Sequence, residues 1–393
     1  MPEKVGYLMY KTKTSLDKLF GAELFGWLFL LFILIGYPLQ DKGQEPPDLR
    51  KPFKKCWEYG AKNGLFHVIA SDNDSQLLIS NSASINSVDP STKLENWKSE
   101  ISGQIKQGVI SDDNSLFFLT EYEPNSELNK TEKIITLNSI SLKTGITRWQ
   151  EKIASGFSSA EIKTVDNKEI IFIVNNESVL SAVQKTNGSL LWKKDFSNSI
   201  ISMDSTLQTE INVLTEDTLF RIKTKTGEIL EEIKVENNSL KSSVVKENYR
   251  LTGNTTGEVI KIIYSEGKSR IAWKIKTGGS ISNLMVLQEG ILVTSLDNFI
   301  YLFSSEEGKL RWKRRVSGRI TRNPLIFRDY AVVVNSSDSY SSVIDLRDGK
   351  VVNQIQIDDG NYFSGSPVIF RNFLVLQSYK GIYFFTNTDV PCQ

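Results

Sequence analysis

The chain supplies one histidine and two cysteines in 393 residues, few of the side chains that most often ligate metals or act as nucleophiles. A zinc site built from Cys and His would lack ligands, and histidine acid–base catalysis has a single candidate, His67. His67 sits in the apolar stretch Leu65-Phe66-His67-Val68-Ile69. There a satisfied core or channel-facing imidazole is a simpler reading than a catalytic base. An excess of charge of one sign is also missing. The balance of 47 Lys+Arg against 46 Asp+Glu excludes the basic field of a nucleic-acid binder. What remains is ordinary globular material, with 40% hydrophobic, 10% aromatic and 24% charged residues, enough to build a core. The length exceeds a single ordinary core, so the chain is either several domains or one repeat architecture.

From Leu24 to Leu39 the sequence LFGWLFLLFILIGYPL is apolar throughout and extends back to Leu19 if Glu23 sits at an interface. A run of this length without a polar stripe predicts a transmembrane helix over 19–39, preceded by a short cytosolic tail, 1–18. Lysines flank it on both sides (Lys4, Lys11, Lys13, Lys18; Lys42, Lys51, Lys54 with Arg50), so charge alone does not orient it. No small-x-small cleavage site follows, which favours an uncleaved anchor. Leu34-Ile35-Gly36-Tyr37 has the outline of a bacterial lipoprotein box with Tyr in place of the lipidated Cys, which excludes lipidation. Residues 40–55, with Pro46, Pro47 and Pro52, read as an extended linker.

Beyond the linker the sequence repeats. Lys143-Thr144-Gly145 to Trp149, Thr186-Asn187-Gly188 to Trp192 and Glu306-Glu307-Gly308 to Trp312 each place Trp four residues after Gly. Gly267 to Trp273 carries two extra residues, and Thr92-Lys93 to Trp97 lacks the Gly. Gly227 and Gly349 keep the Gly but have Glu231 and Asn353 in the Trp slot. With Trp57 there are eight markers, at 57, 97, 149, 192, 231, 273, 312 and 353. Three short apolar runs lie between markers; after Trp312 they are Ile320–Phe327, Ala331–Asn335 and Ser342–Leu346. Four strands in about 40 residues make a propeller blade. The fold class expected is therefore all-β, an eight-bladed β-propeller over 56–393 preceded by one transmembrane helix. The glycines (Gly145, Gly188, Gly227, Gly308, Gly349) provide tight turns, and the tryptophans (Trp57, Trp97, Trp149, Trp192, Trp273, Trp312) pack one blade on the next.

These phrases resemble the PQQ-type repeat family, whose motif resembles Ala-x-Asp-x-x-Thr-Gly-x-x-x-Trp and is similar to other propeller repeats such as the WD40 type. Thr144-Gly145 with Trp149, and Asp345 with Asp348-Gly349, match parts of it. The resemblance covers 55–386. It implies that the Trp strand is the outermost of each blade, so the strands inside Trp57 must come from the C-terminus: Tyr362–Phe370, Phe373–Ser378 and Gly381–Phe385. Phe303 precedes Trp312 by nine residues, and nine beyond Phe385 is position 394, the slot that Trp57 would fill. Cys392 and Cys56 then fall side by side, and a disulfide between them is expected, which would place the propeller in an oxidising compartment.

The family also contains quinoprotein dehydrogenases, but the adjacent Cys-Cys pair of its alcohol-oxidising members is missing and no dense acidic calcium loop is evident. The expectation is a non-enzyme without cofactor or metal. Arg311, Lys313, Arg314, Arg315, Arg319 and Arg322 form the one conspicuous basic run, read either as a charged outer strand that discourages edge pairing or as a docking face for an acidic partner. The interval of 52 between Trp97 and Trp149 marks a polar insertion, Glu121–Lys133. Asn-x-Ser/Thr triplets at Asn73, Asn129, Asn176, Asn187, Asn237, Asn254 and Asn335 keep open an alternative, an ER-membrane protein with a luminal propeller. The leading expectation, from the eight-bladed branch of the family, is a monomeric scaffold anchored in the bacterial inner membrane. Its propeller would bind protein partners in the periplasm, the β-barrel assembly machinery among them.

Overall fold

All eight markers lie in the outermost strand of an antiparallel sheet, four-stranded in seven blades and five-stranded in the second, and the sheets follow one another along the chain. In the computed structural model the described residues are 46–60, 67–70, 76–105, 110–112, 114–122, 133–155, 159–163, 165, 167–234, 240–246, 249–265, 268–387 and 392. The expected transmembrane segment 19–39 lies outside them. Among the described residues no helix is long and apolar enough to cross a membrane.

The first blade is typical: strands His67–Ala70, Leu77–Ser80, Ser84–Asp89 and Leu94–Glu100 pair in sequence order. First strands of successive blades approach one another, as Leu240–Val245 does Ile281–Leu287, so they are the inner strands. The second blade splits its inner strand into Gln104–Ile105 and Ile110–Ser111, both paired with Ser115–Tyr122. The eighth blade is shared between the termini. Val368–Phe370, Phe373–Gln377 and Ile382–Thr386 supply the inner three strands and Lys54–Tyr59 the outermost. The expected closing register holds: Trp57 stands opposite Phe384 as Trp312 stands opposite Leu302.

Two expectations need correction. The inner strands of the last two blades begin late, at Leu325 and Val368, because Pro324 and Pro367 immediately precede them and cannot donate to the ladder. The linker is also shorter than 40–55. Leu49 is buried between the seventh and eighth blades with Ile357 and Phe385, so the propeller unit begins at Pro46.

Each apolar cluster draws on two neighbouring blades. Phe172 and Trp192 of the third blade pack with Ile211 and Val213 of the fourth, and Leu77 and Ile79 of the first meet Phe373 and Phe384 of the eighth. The ring is therefore closed by packing as well as by strand pairing. The thinnest cluster among the described residues is Leu214, Leu219 and Leu240, between the fourth and fifth blades. That is the seam at which the Trp slot holds Glu231, ion-paired to Arg221 at 3.2 Å.

The Trp and the Gly of one motif copy do not serve each other. The rings of five tryptophans lie on the turn glycine of the following blade: Trp97 on Gly145, Trp149 on Gly188, Trp192 on Gly227, Trp273 on Gly308 and Trp312 on Gly349. A Cβ on Gly308 would stand 2.8 Å from Trp273 Cδ2, a distance at which something must move. The same glycines have φ between +67° and +74°, so each meets two demands, a left-handed turn and room for a neighbour's indole. The indole N–H then donates to the carbonyl three residues before that glycine. The acceptors are Leu142 (2.9 Å), Lys185 (3.1 Å), Thr224 (2.7 Å), Ser305 (3.2 Å) and Leu346 (2.8 Å). A buried aromatic thus has both its apolar face and its polar handle satisfied across one seam.

Before every marker the outermost strand carries a β-bulge, whose extra residue is the one preceding the marker, such as Arg311 before Trp312 or Cys56 before Trp57. Strict alternation would put Leu310 on the buried side of Trp312. The bulge shifts the pairing by one and turns Leu310 outward, 49% exposed.

Two outcomes are expected in denaturant unfolding. Gly308→Ala combines left-handed strain, about 1–2 kcal/mol, with overpacking against Trp273, about 1–3 kcal/mol. Gly360→Ala, at φ +69° with nothing within 4 Å, carries the strain alone; equal losses at the two positions would contradict the docking role. Cys56 and Cys392 are bonded, with Cα atoms 4.7 Å apart, and a bridge between residues 336 apart stabilises by up to about 5–6 kcal/mol on the chain-entropy model. The native unreduced protein should take up no alkylating label and the reduced, unfolded protein two. Two adducts on the native unreduced chain would refute the pairing.

Candidate functional site

The propeller offers three features from which a site could be built: the seam where the ring closes, the marker-turn face, and the opposite face with its loops between second and third strands. The closing seam is held differently from the rest. Trp57 faces the first blade, whose turn has Lys93 where glycine belongs; Lys93 adopts φ +63° and its N–H reaches the Asp89 carbonyl at 2.8 Å, the same turn without the room. Trp57 therefore stacks on Phe384 of its own blade, centroids 4.2 Å apart, and its Nε1 has no partner among the described residues. Tyr59 makes the crossing instead. Its hydroxyl donates to Glu95 Oε1 (2.6 Å), and Asn86 Nδ2 donates to both Tyr59 Oη (2.9 Å) and Glu95 Oε1 (2.7 Å). Burial and then the Glu95 carboxylate push the Tyr59 hydroxyl well above its ordinary range.

On the other side of the eighth blade, Asn353 fills the Trp slot and keeps half of the Trp function. Its Nδ2 donates to the carbonyls of Leu49 (3.0 Å) and Lys51 (2.6 Å), so the incoming chain stands where a marker turn stands elsewhere. The Arg50 guanidinium, hydrogen-bonded to Asp48, holds that carboxyl down at about 2. Asp358 is lowered by the Lys55 ammonium and by Tyr383, which donates to it at 3.0 Å. Lys55–Asp358 ties the incoming chain to the connection before the eighth blade, and Cys56–Cys392 ties the two termini together.

The basic run does not stay together. Arg311, Lys313 and Arg315 are exposed on the outermost strand Leu310–Arg315 of the sixth blade. Arg314 is half-buried and donates through Nε to the Gly349 carbonyl at 2.6 Å, holding the next blade. Lys313 Nζ sits 5.5 Å from the Phe299 ring centroid. Arg319 and Arg322 lie beyond the strand, on the connection to the seventh blade, the first exposed and the second half-buried. The six residues therefore divide into a rim patch of three, a blade contact at Arg314 and a loop pair.

The insertion joins Ser115–Tyr122 to Ile134–Ser141. Residues 123–132 lie outside the described residues, and its base is pinned by Lys133 Nζ to the buried Glu121 Oε1 at 2.7 Å. Being a connection between second and third strands, it leaves the propeller on the face opposite the marker turns. The same face carries a cleft of about 490 Å³ over the third to fifth blades, lined by Glu161, Lys163, Glu177, Glu216, Lys241 and Leu240 among others. His67 pairs with Ser80 through the strand ladder of the first blade. Among the described residues no group of three or more His, Cys, Asp or Glu converges as metal ligands would. Of the Asn-x-Ser/Thr triplets, Asn254 and Asn335 are buried and hydrogen-bonded, while Asn176 and Asn187 are exposed; the other three lie outside the described residues.

Sequence reasoning missed the bulge, the Asn353 contacts and the Tyr59 crossing. The first had a signal, an apolar residue two places before the marker in five copies; the last two depend on which blade meets which.

The chain was compared with known proteins. No curated protein matches it. BamB from Moraxella catarrhalis superposes with a TM-score of 0.63 at 13% identity, covering 86% of this chain and 98% of that one. The computationally designed Ika8 protein gives 0.68 at 11% identity, covering 85% and 100%. The C-terminal WD40 domain of Sif2 gives 0.65 at 12%, covering 86% and 99%. At such identities these likenesses establish the propeller alone, and a designed protein among them underlines that fold is not function. A family model described as outer membrane protein assembly factor BamB matches residues 132–233 and 234–388, well over half of the chain. By that match, and by eight blades of which five seams are joined by Trp on Gly, the chain belongs to the PQQ-type repeat family of the outer membrane protein assembly factor BamB.

Proposed function

We propose that this chain is a non-enzymatic, protein-binding scaffold: a single-pass protein of the bacterial inner membrane, anchored by residues 19–39, whose periplasmic propeller assists the assembly of outer-membrane β-barrel proteins. The family match over 132–388 carries this reading. The geometry agrees with it, because the residues that most resemble the family motif are occupied in joining blades. A Cys56–Cys392 bridge favours an oxidising compartment. The exposed rim cations Arg311, Lys313 and Arg315, with Arg319 on the connecting loop, are the partner surface in this account, suited to an acidic protein face.

Cross-linking of the tagged full chain in native membranes, followed by mass spectrometry, should capture components of the β-barrel assembly machinery or outer-membrane protein precursors. The variant Arg315→Glu/Arg319→Glu should reduce that capture several-fold while leaving the disulfide intact. Purified protein that carries a quinone chromophore and oxidises alcohols in a calcium-dependent way would overturn the scaffold reading in favour of a dehydrogenase. Glycans on Asn176 or Asn187 in the native protein would move the propeller to the ER lumen.

A further inference from the structure

The bulge before each marker has a cumulative result around the ring. In five blades it turns one apolar side chain outward near the start of the outermost strand, Leu190, Ile229, Ile271, Leu310 or Val351, and in the first two blades Leu94 and Ile146 are exposed one place earlier; the seven are 39% to 67% exposed. Five of them stand two residues before the marker, and Leu94 and Ile146 stand three before it. Because all seven stand two or three residues before the marker of their outermost strand, they lie along one rim, on the face of the marker turns. Isolated exposed apolar residues are common; one recurring at equivalent places around a ring is a surface.

Cations border this rim. Lys93, Arg270, Lys309 and Lys350 directly precede Leu94, Ile271, Leu310 and Val351. Lys309 and Lys350 also reach Glu307 (2.7 Å) and Asp348 (2.6 Å), but these pairs are solvent-exposed, where pairing is weak and screened. Apolar side chains interleaved with lysine and arginine are the pattern of a surface that enters the headgroup–acyl boundary of an anionic bilayer. Where the chain joins the propeller points the same way. The carbonyls of Leu49 and Lys51 take the place of the eighth blade's marker turn against Asn353, so the polypeptide arrives on this face.

We propose that the marker-turn face is a lipid-contacting face, its ring of exposed apolar side chains seated in the headgroup interface of an anionic bilayer. This rests on the membrane anchoring proposed above. It separates two tasks: the marker-turn face meets lipid, and the cations of the outermost strand Leu310–Arg315, with Arg319 on the connecting loop and the opposite face, are left for proteins.

The test uses the full chain in phosphatidylethanolamine–phosphatidylglycerol vesicles. Single cysteines are introduced as Ile146→Cys, Leu190→Cys or Leu310→Cys on the rim and as Glu177→Cys or Glu216→Cys on the opposite face, and labelled with an environment-sensitive fluorophore while Cys56–Cys392 stays oxidised. Rim labels should emit to the blue of the opposite-face labels and be quenched at least threefold more by lipids carrying a spin label near the headgroup. Equal emission and quenching on the two faces, in protein that resists alkaline extraction, would overturn the lipid face while leaving the anchor standing. Release of the protein by alkaline extraction would refute the anchor, and the proposal with it. An intact-mass check of the native disulfide in each variant excludes misfolding as the cause.

Discussion

The interaction on which the ring depends is an indole lying on a neighbour's glycine. A propeller blade cannot bury both faces of its sheet alone, so its stability resides in the seams. Each regular seam repeats one contact in which a Trp ring covers a left-handed glycine and its N–H closes on the carbonyl three residues upstream. The contact has two halves in different blades. A change in one half therefore alters what the other can do.

The irregular copies follow from this. Where Lys93 replaces glycine, there is no room for the indole, and Trp57 folds back on Phe384 while Tyr59 bonds across to Glu95. Where the incoming chain replaces a marker turn, Asn353 replaces Trp and keeps only the hydrogen bonds. At the seam between the fourth and fifth blades the Trp slot holds Glu231, ion-paired to Arg221, and the apolar cluster there is the thinnest among the described residues. Three departures that look like decay of a motif are three adjustments of a paired contact. Two of them flank the eighth blade, where the termini meet and the disulfide adds a covalent tie.

Much of the fold was legible in the sequence because its signals are local. Gly-x-x-x-Trp spacing counted the blades, and counting nine residues from Phe303 and from Phe385 placed Trp57 and the two cysteines correctly. What the sequence hid was non-local or broke alternation. Trp312 reads as the partner of Gly308, four residues away, yet it covers Gly349. Leu310 reads as buried beside Trp312, and the bulge at Arg311 turns it out. Pro324 and Pro367 shortened strands that apolar content alone extended. The candidate site was legible only in part, since a basic run of six in sequence divides between a rim strand, a blade contact at Arg314 and a connecting loop. Its division also explains why charge density along a chain is a weak guide to a docking face on a propeller.

The central claim is that motif partners are joined across seams and not within a copy. A double-mutant cycle on Gly188 tests it directly, measuring unfolding for Gly188→Ala alone and combined with Trp149→Ala or with Trp192→Ala. The account predicts coupling of at least about 1 kcal/mol with Trp149, since removing that indole leaves the left-handed strain of the alanine and only the flexible Glu151 side chain to move aside, and near-additivity with Trp192. Coupling to Trp192 with none to Trp149 would contradict it.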